Sequence, residues 1–386
     1  MPELIGLGNG LMNVVLLLVI LVVLVVIHEL GHFVVARRAG VKVHEFGVGF
    51  PPRAKVLFTD KQGTIYTLNW LPIGGFVRLE GEEGESDDPR SFVRQRLPTR
   101  LAILLAGVVM NFILAFVLLT LIAALADPSS TAQVLAVQPG SPAEQAGLKG
   151  GQQIGTTTDS EGREVPIYDD SGDRILAVDG HTFAWFDLPN GPVGITEYTR
   201  ARPSTAVTLT VQRSDGTIVD VQATTRSAED IAANRGALGF VPQPVPGQTI
   251  KRDFLEAIGI GAKRTLDAAT LIVRALGDFV NNLANPPISG PVGIVNAIGV
   301  VRSSAPPVFM IYFIALLSAN LAVVNVLPLP PLDGGRVAVS LVQAAVGNRV
   351  SVAVERFVYL AGFVFLMALL AWVTLFDTGI LQRTGT

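Results

Sequence analysis

The chain lacks cysteine altogether, and this absence limits its chemistry from the start. Without cysteine the protein has no disulfide bridges and no thiolate ligands for a metal ion. Any transition metal would therefore be held by histidine, aspartate or glutamate. Histidine is scarce as well, because the whole chain contains only His28, His32, His44 and His181.

Charged residues are also few. They make up 16% of the 386 residues, whereas an average soluble domain carries about 25%. The mean hydropathy is +0.48, and 49% of the residues are hydrophobic. The formal net charge is −3, so the chain lacks the basic excess that is typical of nucleic-acid-binding proteins. This composition favours a membrane protein that does not bind nucleic acid.

Four apolar stretches are each long enough to cross a lipid bilayer, which takes about 20 residues. They cover residues 11–36, 100–126, 307–329 and 355–376. The first is not typical of a cleaved signal peptide, since residues 1–13 contain no Lys or Arg and no small-residue cleavage site follows the apolar run. The pattern predicts a polytopic α-helical membrane protein with four transmembrane helices.

Basic residues indicate how these helices are oriented. Arg37, Arg38, Arg53, Lys55, Arg94, Arg96 and Arg100 lie between the first and second spans, and Arg349 and Arg356 lie near the connection between the third and fourth. Short connections that are rich in Lys and Arg face the cytoplasm. We therefore expect both connections inside, with the N-terminus, residues 127–306 and the C-terminus on the outer side.

The first apolar stretch ends in His28-Glu29-Leu30-Gly31-His32. Residues four apart on a helix lie on one face, about 40° from vertical alignment, so His28 and His32 can bind one metal ion together. Glu29 is rotated by about 100° from His28 and can reach a water molecule at that ion. The pattern is the H-E-x-x-H of zinc peptidases. It also occurs by chance on soluble helices, but ionisable side chains inside a membrane helix are costly and usually functional.

A catalytic zinc usually has three protein ligands. Asp333 is a stronger candidate for the third ligand than either of the remaining histidines, His44 and His181. It lies in the sequence Asn325-Val-Leu-Pro-Leu-Pro-Pro-Leu-Asp-Gly-Gly335, at the expected cytoplasmic end of the third span. His28 lies near the cytoplasmic end of the first span, so the two sites are at matching depth. The prolines are expected to break the helix there, and the glycines allow a tight turn. An ordinary capped helix end is the alternative.

The connection between the first two spans contains an apolar β pattern. Residues 64–70 and 76–79 are expected to be strands, joined by the turn Leu71-Pro-Ile-Gly-Gly75. Such a hairpin could simply pack on the helix ends. Alternatively it approaches the site and offers an edge strand, through Ile65 and Leu68, to an extended peptide.

Residues 127–245 change in character to short apolar runs with more Gly and Pro. Alternation at residues 207–211 and 219–221 predicts two strands, and Asp215-Gly216 predicts the turn between them. The pieces Pro139-Gly-Ser-Pro-Ala-Glu-Gln-Ala-Gly-Leu148 and Gly172-Asp-Arg-Ile-Leu-Ala-Val-Asp-Gly180 resemble a PDZ domain of the bacterial protease type. Residues 149–171 between them are expected to form an inserted surface loop, and His181 is expected at the surface.

Residues 251–284 have apolar positions at alternating spacings of three and four, which predicts an amphipathic helix. It could lie on the membrane surface or pack on the protein.

The resulting organisation is a first membrane part at 1–126 with a cytoplasmic loop at 39–98, a PDZ domain at 127–245, an amphipathic connector at 246–306, and a second membrane part at 307–386.

The paired motifs resemble the site-2 protease family of intramembrane zinc metalloproteases. The family pattern is matched at His28, Glu29, Gly31, His32, Asn325, Pro328, Pro330, Leu332, Asp333 and Gly334. Pro72-Ile-Gly-Gly75 is similar to the family's membrane-associated hairpin loop, and Ser289-Gly-Pro-Val-Gly293 to its motif before the third span. Four spans with one PDZ insertion look like the bacterial regulator-of-sigma-E branch. The sequence departs from the family pattern in two ways. It has one recognisable PDZ domain where the best-known enterobacterial member has two, and it has Val108 at a position where the family often has proline.

The resemblance implies a Zn²⁺ ion on His28, His32 and Asp333, with Glu29 as the catalytic base. We also expect substrate contacts at Asn325, Gly74 and Gly75, with Asn325 bonding to substrate backbone or the oxyanion. The implied substrate is a single-pass membrane protein, such as an anti-sigma factor already cut outside the bacterial inner membrane. The rival interpretations are a PDZ-bearing membrane adaptor without proteolysis and a metal transporter. An adaptor does not need Glu29 or Asp333, and a transporter would be expected to show repeated spans.

Overall fold

The computed structural model describes residues 2–82, 86–159, 162–187, 194–233, 236–282, 288–346 and 352–380, so that Arg349 lies outside the described residues. The chain divides into two compact units. One unit comprises Met1–Leu119 and Gly261–Thr386, and the other comprises Thr120–Ile260.

In chain order the elements are α1 (Pro2–Arg38), β1 (Val43–Thr59), β2 (Ile65–Leu79), α2 (Leu97–Leu125), β3 (Pro128–Val137), α3 (Pro142–Gln145), β4 (Gln153–Thr158), β5 (Glu164–Tyr168), β6 (Arg174–Val178), β7 (Phe183–Ala184), α4 (Gly194–Arg200), β8 (Ala206–Gln212), β9 (Ile218–Thr224), α5 (Ala228–Ala232), β10 (Phe240–Thr249), α6 (Phe254–Asn281), α7 (Pro291–Ser304), α8 (Pro307–Val326), α9 (Asp333–Val346) and α10 (Val352–Asp377).

Four of these helices are long and apolar enough to cross a membrane. They contribute the segments Gly8–Arg38, Leu97–Leu125, Pro307–Val326 and Arg356–Asp377. A helix satisfies all of its backbone hydrogen bonds internally, which is the condition for crossing hydrocarbon. All four predicted spans are therefore helices that can cross a membrane, which indicates a multi-pass membrane protein.

Two shorter helices of the first unit, α7 and α9, were not predicted from the sequence. α7 follows Gly290 with a proline at its start, and the Gly293 N–H near its N-terminus donates to Asp377 Oδ2 at 2.9 Å. α9 begins at Asp333 immediately after the proline-rich break. Both helices are too short for the length criterion of a span, and proline and glycine lie at their starts.

The sheet between the first two spans differs from the predicted hairpin. The expected strands at 64–70 and 76–79 are both parts of β2, yet they do not pair with each other. Residues 43–48 of β1 lie between them, pairing with 75–79 on one side and with 65–68 on the other, while 53–59 pair with 65–69. Residues 43–48 form the more buried part of β1, so the central position removes the most apolar surface from solvent.

This pairing corrects the expectation for Ile65 and Leu68. Ile65 pairs with Glu45 and Thr59, and Leu68 pairs with Val48 and Lys55. A strand with partners on both sides cannot accept a peptide. Within the sheet of β1 and β2, the described segments with a partner strand on one side only are 53–59 and 75–79.

The second unit is built on an antiparallel sheet of order β10-β3-β6-β8-β9, with β7 pairing with β3. Its core contains Val134, Ile175 and Leu209, each fully buried. The predicted strands and their turn are confirmed, since β8 pairs with β9 through a connection in which Gly216 has φ +85°. The expected loop at 149–171 is wrong in its described part, because β4 and β5 pair there as an antiparallel ribbon.

The predicted amphipathic helix is also confirmed as a helix. α6 buries Ala257 and Ala268 on one face and exposes Leu255 and Leu266. Its location at a membrane surface stays a prediction.

The break between α8 and α9 brings backbone into close contact. A Cβ atom at Gly334 would lie 2.1 Å from the Val326 carbonyl oxygen and 2.3 Å from that of Leu327. At Gly335 it would lie 2.6 Å from the Pro330 nitrogen. Only glycine fits at these two positions, so the Gly-Gly pair allows the chain to fold back and start α9 at Asp333.

We therefore expect Gly334→Ala to lower the melting temperature of the protein in detergent, because backbone atoms of α8 would have to move. Gly277→Ala is the matched control, since no atom lies within 4 Å of a Cβ at this position of α6. Alanine should raise helix stability there by about 1 kcal/mol. Equal melting temperatures for both variants would contradict the close-contact argument.

Candidate metal centre

Helix α1 brings His28 and His32 together as the spacing of four predicts. Their Nε2 atoms are 3.1 Å apart, and the ring planes meet at 79°. The two residues are 6% and 9% exposed. One ring nitrogen of each histidine and a carboxylate oxygen of Glu29 lie within 4.8 Å of one another. The motif on α1 therefore forms one compact cluster of potential ligand atoms.

Asp333 joins this cluster from the start of α9. Its Oδ2 lies 2.8 Å from His28 Nε2 and 3.3 Å from His32 Nε2. The turn that Gly334 allows places the aspartate here, 301 residues from His32 in the sequence numbering. The structure thus brings together the three residues that the sequence suggested as ligands.

The three atoms have the arrangement of ligands around one cation. A tetrahedral zinc ion with ligands at about 2.0–2.1 Å holds neighbouring ligand atoms roughly 3.3 Å apart. The three separations here are 2.8, 3.1 and 3.3 Å. Asp333 Oδ2 is buried and has no hydrogen bond of good geometry among the described residues, despite its closeness to His28 Nε2. This is expected when lone pairs point to a common centre rather than at one another.

The tautomer of His32 supports the same interpretation. Its Nδ1 lies 2.7 Å from the Ile103 carbonyl oxygen, which only accepts hydrogen bonds. In the neutral ring the proton is therefore on Nδ1, and Nε2 presents a lone pair towards a carboxylate. Such an arrangement is repulsive unless a cation lies between them, so the residues fit a metal ion.

Glu29 lies beside the cluster and lines a cavity of about 700 Å³. His32 and Asp333 also line this cavity, together with the charged residues Glu45, Arg53, Arg78, Glu82 and Arg336. The cavity therefore connects a polar, charged environment to the potential ligand atoms. A general base needs such access to water.

The charged residues around the cavity were missed in the sequence. The Arg336 side chain donates to Glu82 and so links α9 to the connection that follows β2. Buried Glu45 accepts from Arg53 at 2.8 Å and lies 3.2 Å from Arg78. In the sequence Arg53 indicates only topology, and the pairing of Arg336 with Glu82, 254 residues apart, cannot be found by spacing.

Of the glycines in the predicted turn, Gly75 lies next to the cluster. A Cβ atom there would be 3.9 Å from Glu29 Cγ and 2.9 Å from the Gly47 carbonyl oxygen. Gly74 has φ +75° and lies against Phe50 and Val25. The edge segment 75–79 therefore starts beside the potential catalytic base.

The remaining predicted residues lie elsewhere. Asn325 is the second-last residue of α8 and is half-buried. His181 is exposed, as expected. His44 lies 2.8 Å from Glu80, and hydrogen bonds from Ser86, His44 and Lys42 lower the pKa of Glu80. His44 thus belongs to a surface charge cluster rather than to the metal centre.

Comparison with known proteins decides the family. The sequence profile of Peptidase family M50 matches residues 16–369, which is most of the chain. The chain belongs to Peptidase family M50. This is the site-2 protease family, so the resemblance is confirmed at that level, and the chain is a metalloendopeptidase of the site-2 protease type.

Individual relatives match over nearly their full length. A protein of Clostridium acetobutylicum, provisionally named a zinc metalloprotease, is 31% identical over 95% of this chain and 97% of its own. A protein of Brucella suis with the same provisional name is 29% identical, with 91% of each chain covered. One from Synechocystis is 30% identical over 91% of this chain and 90% of its own.

Helix α2 of this M50 peptidase leaves no free space at the histidine rings. A Cβ atom at Gly107 would lie 2.4 Å from His32 Nε2 and 2.7 Å from His28 Nε2. We expect Gly107→Ala to displace both rings and to reduce the metal bound per chain, measured by atomic emission. Gly10→Ala on α1 is the control, since no atom lies within 4 Å of a Cβ there. Undiminished metal in Gly107→Ala would show that the rings can adapt.

Proposed function

We propose that the protein is an intramembrane zinc endopeptidase that cuts a peptide bond within or near a transmembrane segment of another membrane protein. The observation that carries the proposal is the convergence of His28, His32 and Asp333 within 3.3 Å, with Glu29 beside them. Two of these residues are on a helix long enough to span the membrane. The M50 match and the provisional names of the relatives support zinc as the metal.

In this proposal His28, His32 and Asp333 hold Zn²⁺. When bound, zinc polarises the scissile carbonyl and lowers the pKa of water towards about 7. Glu29 accepts the proton of the attacking water and passes it to the leaving amine. Its position on the cavity wall gives it access to both groups.

Substrate binding is proposed for the edge segment 75–79. A transmembrane helix must open before its carbonyl groups can react, and in hydrocarbon each exposed backbone group costs several kcal/mol. Strand addition to an open edge satisfies those groups. Gly74 and Gly75 lie where this segment passes α1, and Asn325 is proposed to bind a further backbone group or the oxyanion.

The finer biological assignment is part of the same proposal. The substrate is a single-pass protein such as an anti-sigma factor already cut outside the cell, and the location is a bacterial inner membrane with the active site towards the cytoplasm. The basic connections between spans support this orientation. The second unit is proposed to be a single PDZ domain on the outer side, supported by the sequence pieces at 139–148 and 172–180.

A membrane adaptor remains the alternative in another functional class. An adaptor would bind peptides through the second unit and use the helices as an anchor. It would not need Glu29 next to three converging ligand atoms. Measurements of metal and proteolysis on the same samples distinguish the two functions.

We expect one zinc per chain, lost in His28→Ala and in Asp333→Ala. Glu29→Gln should keep zinc, because Glu29 is not proposed as a ligand, and should lower cleavage of a membrane substrate by about 10²- to 10⁴-fold. Zinc content and cleavage are measured on each purified variant. Full zinc in His28→Ala would remove the metal assignment, and full cleavage by Glu29→Gln would remove its role as base.

We also expect cleavage to depend on the helix stability of the substrate. Replacing a leucine near the cut by glycine weakens the helix by up to about 1 kcal/mol, a several-fold change in the open population. Gly-containing substrates should therefore be cleaved faster than Leu-containing ones at equal binding. Equal rates across such a series would show that opening is not required.

The edge segment is tested by removing one backbone donor. The Glu80 N–H donates to the Lys42 carbonyl, and the Leu79 N–H faces the Glu82 side chain. Backbone groups alternate along a strand, so the Val77 N–H faces the open side. We expect Val77→Pro to slow cleavage and to retain zinc, whereas Val77→Ala and Val56→Pro, at the other edge, should not slow it. Equal rates in the two proline variants would locate substrate binding elsewhere.

A further inference from the structure

Helix α2 faces the two histidines with three positions spaced by four residues. The Ile103 carbonyl oxygen lies 2.7 Å from His32 Nδ1, Gly107 leaves room for both rings, and the Asn111 side chain lies 3.3 Å from His28 Nδ1. Residues four apart share one face of a helix. The same face of α2 therefore contacts the outer nitrogen of each ring.

His28 needs a hydrogen-bond acceptor on that outer nitrogen. Its Nε2 is the atom that converges with Asp333 Oδ2 and His32 Nε2. A neutral imidazole carries one proton, so a ring that uses Nε2 as a ligand carries the proton on Nδ1. A metal-binding histidine commonly donates this proton to a carbonyl or carboxylate, which fixes the ring.

Asn111 can provide the acceptor. The residue is fully buried, and its Oδ1 has no hydrogen-bond partner among the described residues. Its Nδ2 faces His28 Nδ1, which would place two donors against each other. The amide oxygen and nitrogen exchange places by a half-turn about χ2 with no change in shape. That half-turn supplies Oδ1 to the Nδ1 proton and gives the orphan oxygen its partner.

The backbone of Asn111 is itself fixed. Ser318 on α8 donates its hydroxyl to the Asn111 carbonyl oxygen at 2.8 Å, and this contact is buried. α8 is also the helix that leads to the turn before Asp333. Asn111 thus lies where α1, α2 and α8 meet, held from one side and directed at His28 on the other.

We propose that Asn111 is a positioning residue that accepts the Nδ1 proton of His28 and fixes its tautomer and ring orientation for zinc. The inference rests on the proposed function, because it needs His28 to be a ligand. It adds a group that does not touch the metal or the substrate. The expected contribution of such a contact is about 10- to 100-fold in metal affinity.

The test measures zinc affinity of the full-length protein in detergent by competition with a chromophoric chelator. Asn111→Leu keeps the size of the side chain but removes the acceptor, and should weaken zinc binding by about 10- to 100-fold. Asn111→Asp restores an acceptor and should bind zinc within a few-fold of the unchanged protein. Asn111→Ala is a second variant without the acceptor, for use if Asn111→Leu does not fold.

Asn13→Leu is the matched control for loss of a buried asparagine in a membrane helix. Asn13 lies on α1, 9% exposed, and accepts from Arg302 Nε at 3.1 Å. It is 15 residues before His28, about 22 Å along the helix. Asn13→Leu should therefore leave zinc affinity unchanged even if it lowers the melting temperature.

His28→Ala is measured in parallel to separate the two proposals. If His28→Ala retains full zinc affinity, the metal assignment itself fails. If His28→Ala loses zinc while folded Asn111→Leu or Asn111→Ala binds it normally, only the positioning role is overturned. Weak binding by Asn111→Asp, equal to that of Asn111→Leu, would also overturn it, because acceptor chemistry would then not matter.

Discussion

The structure depends on holding three electron-rich atoms within 3.3 Å of one another in a largely buried cluster. Two imidazole lone pairs and a carboxylate repel one another unless a cation is present, and burial strengthens that repulsion. Close backbone contacts surround this point. A Cβ at Gly31 would lie 2.3 Å from the Ala106 carbonyl oxygen, and Gly107 and Gly334 are as tightly enclosed. Glycine at the helix crossing lets α2 approach α1 closely enough to contact both rings.

The cavity beside the candidate metal centre is lined by charged side chains. Charged side chains are tolerated near hydrocarbon when they are paired. Glu45 is paired with Arg53 and Arg78, and Glu82 with Arg336. These pairs line the space that reaches Glu29. The arrangement keeps polar groups next to Glu29, while the four long helices that can span a membrane remain apolar.

The local sequence pattern was sufficient to predict those features of the fold that depend on a single short segment. The uncharged runs predicted four spans, and the spacing of His28 and His32 predicted a shared face. The turn at Asp215-Gly216 and the amphipathic pattern of α6 were also correct. The break before Asp333 followed from Pro328, Pro330 and Pro331. In each case the cause lies within a few residues: helix period, turn chemistry or the missing N–H of proline.

By itself, the sequence determined the helices that can span a membrane, the shared face of His28 and His32 on α1 and the residue types available as ligands. Tertiary structure alone decided which strands pair. The local pattern of residues 43–48 is compatible with an edge or a central position in the sheet, and their burial against the rest of the protein favours the central one. It also decided that Asn111, Gly107 and the Ile103 carbonyl face the histidines. Such contacts join residues about 70 to 80 positions apart, and only the packing of one helix against another brings them within bonding distance.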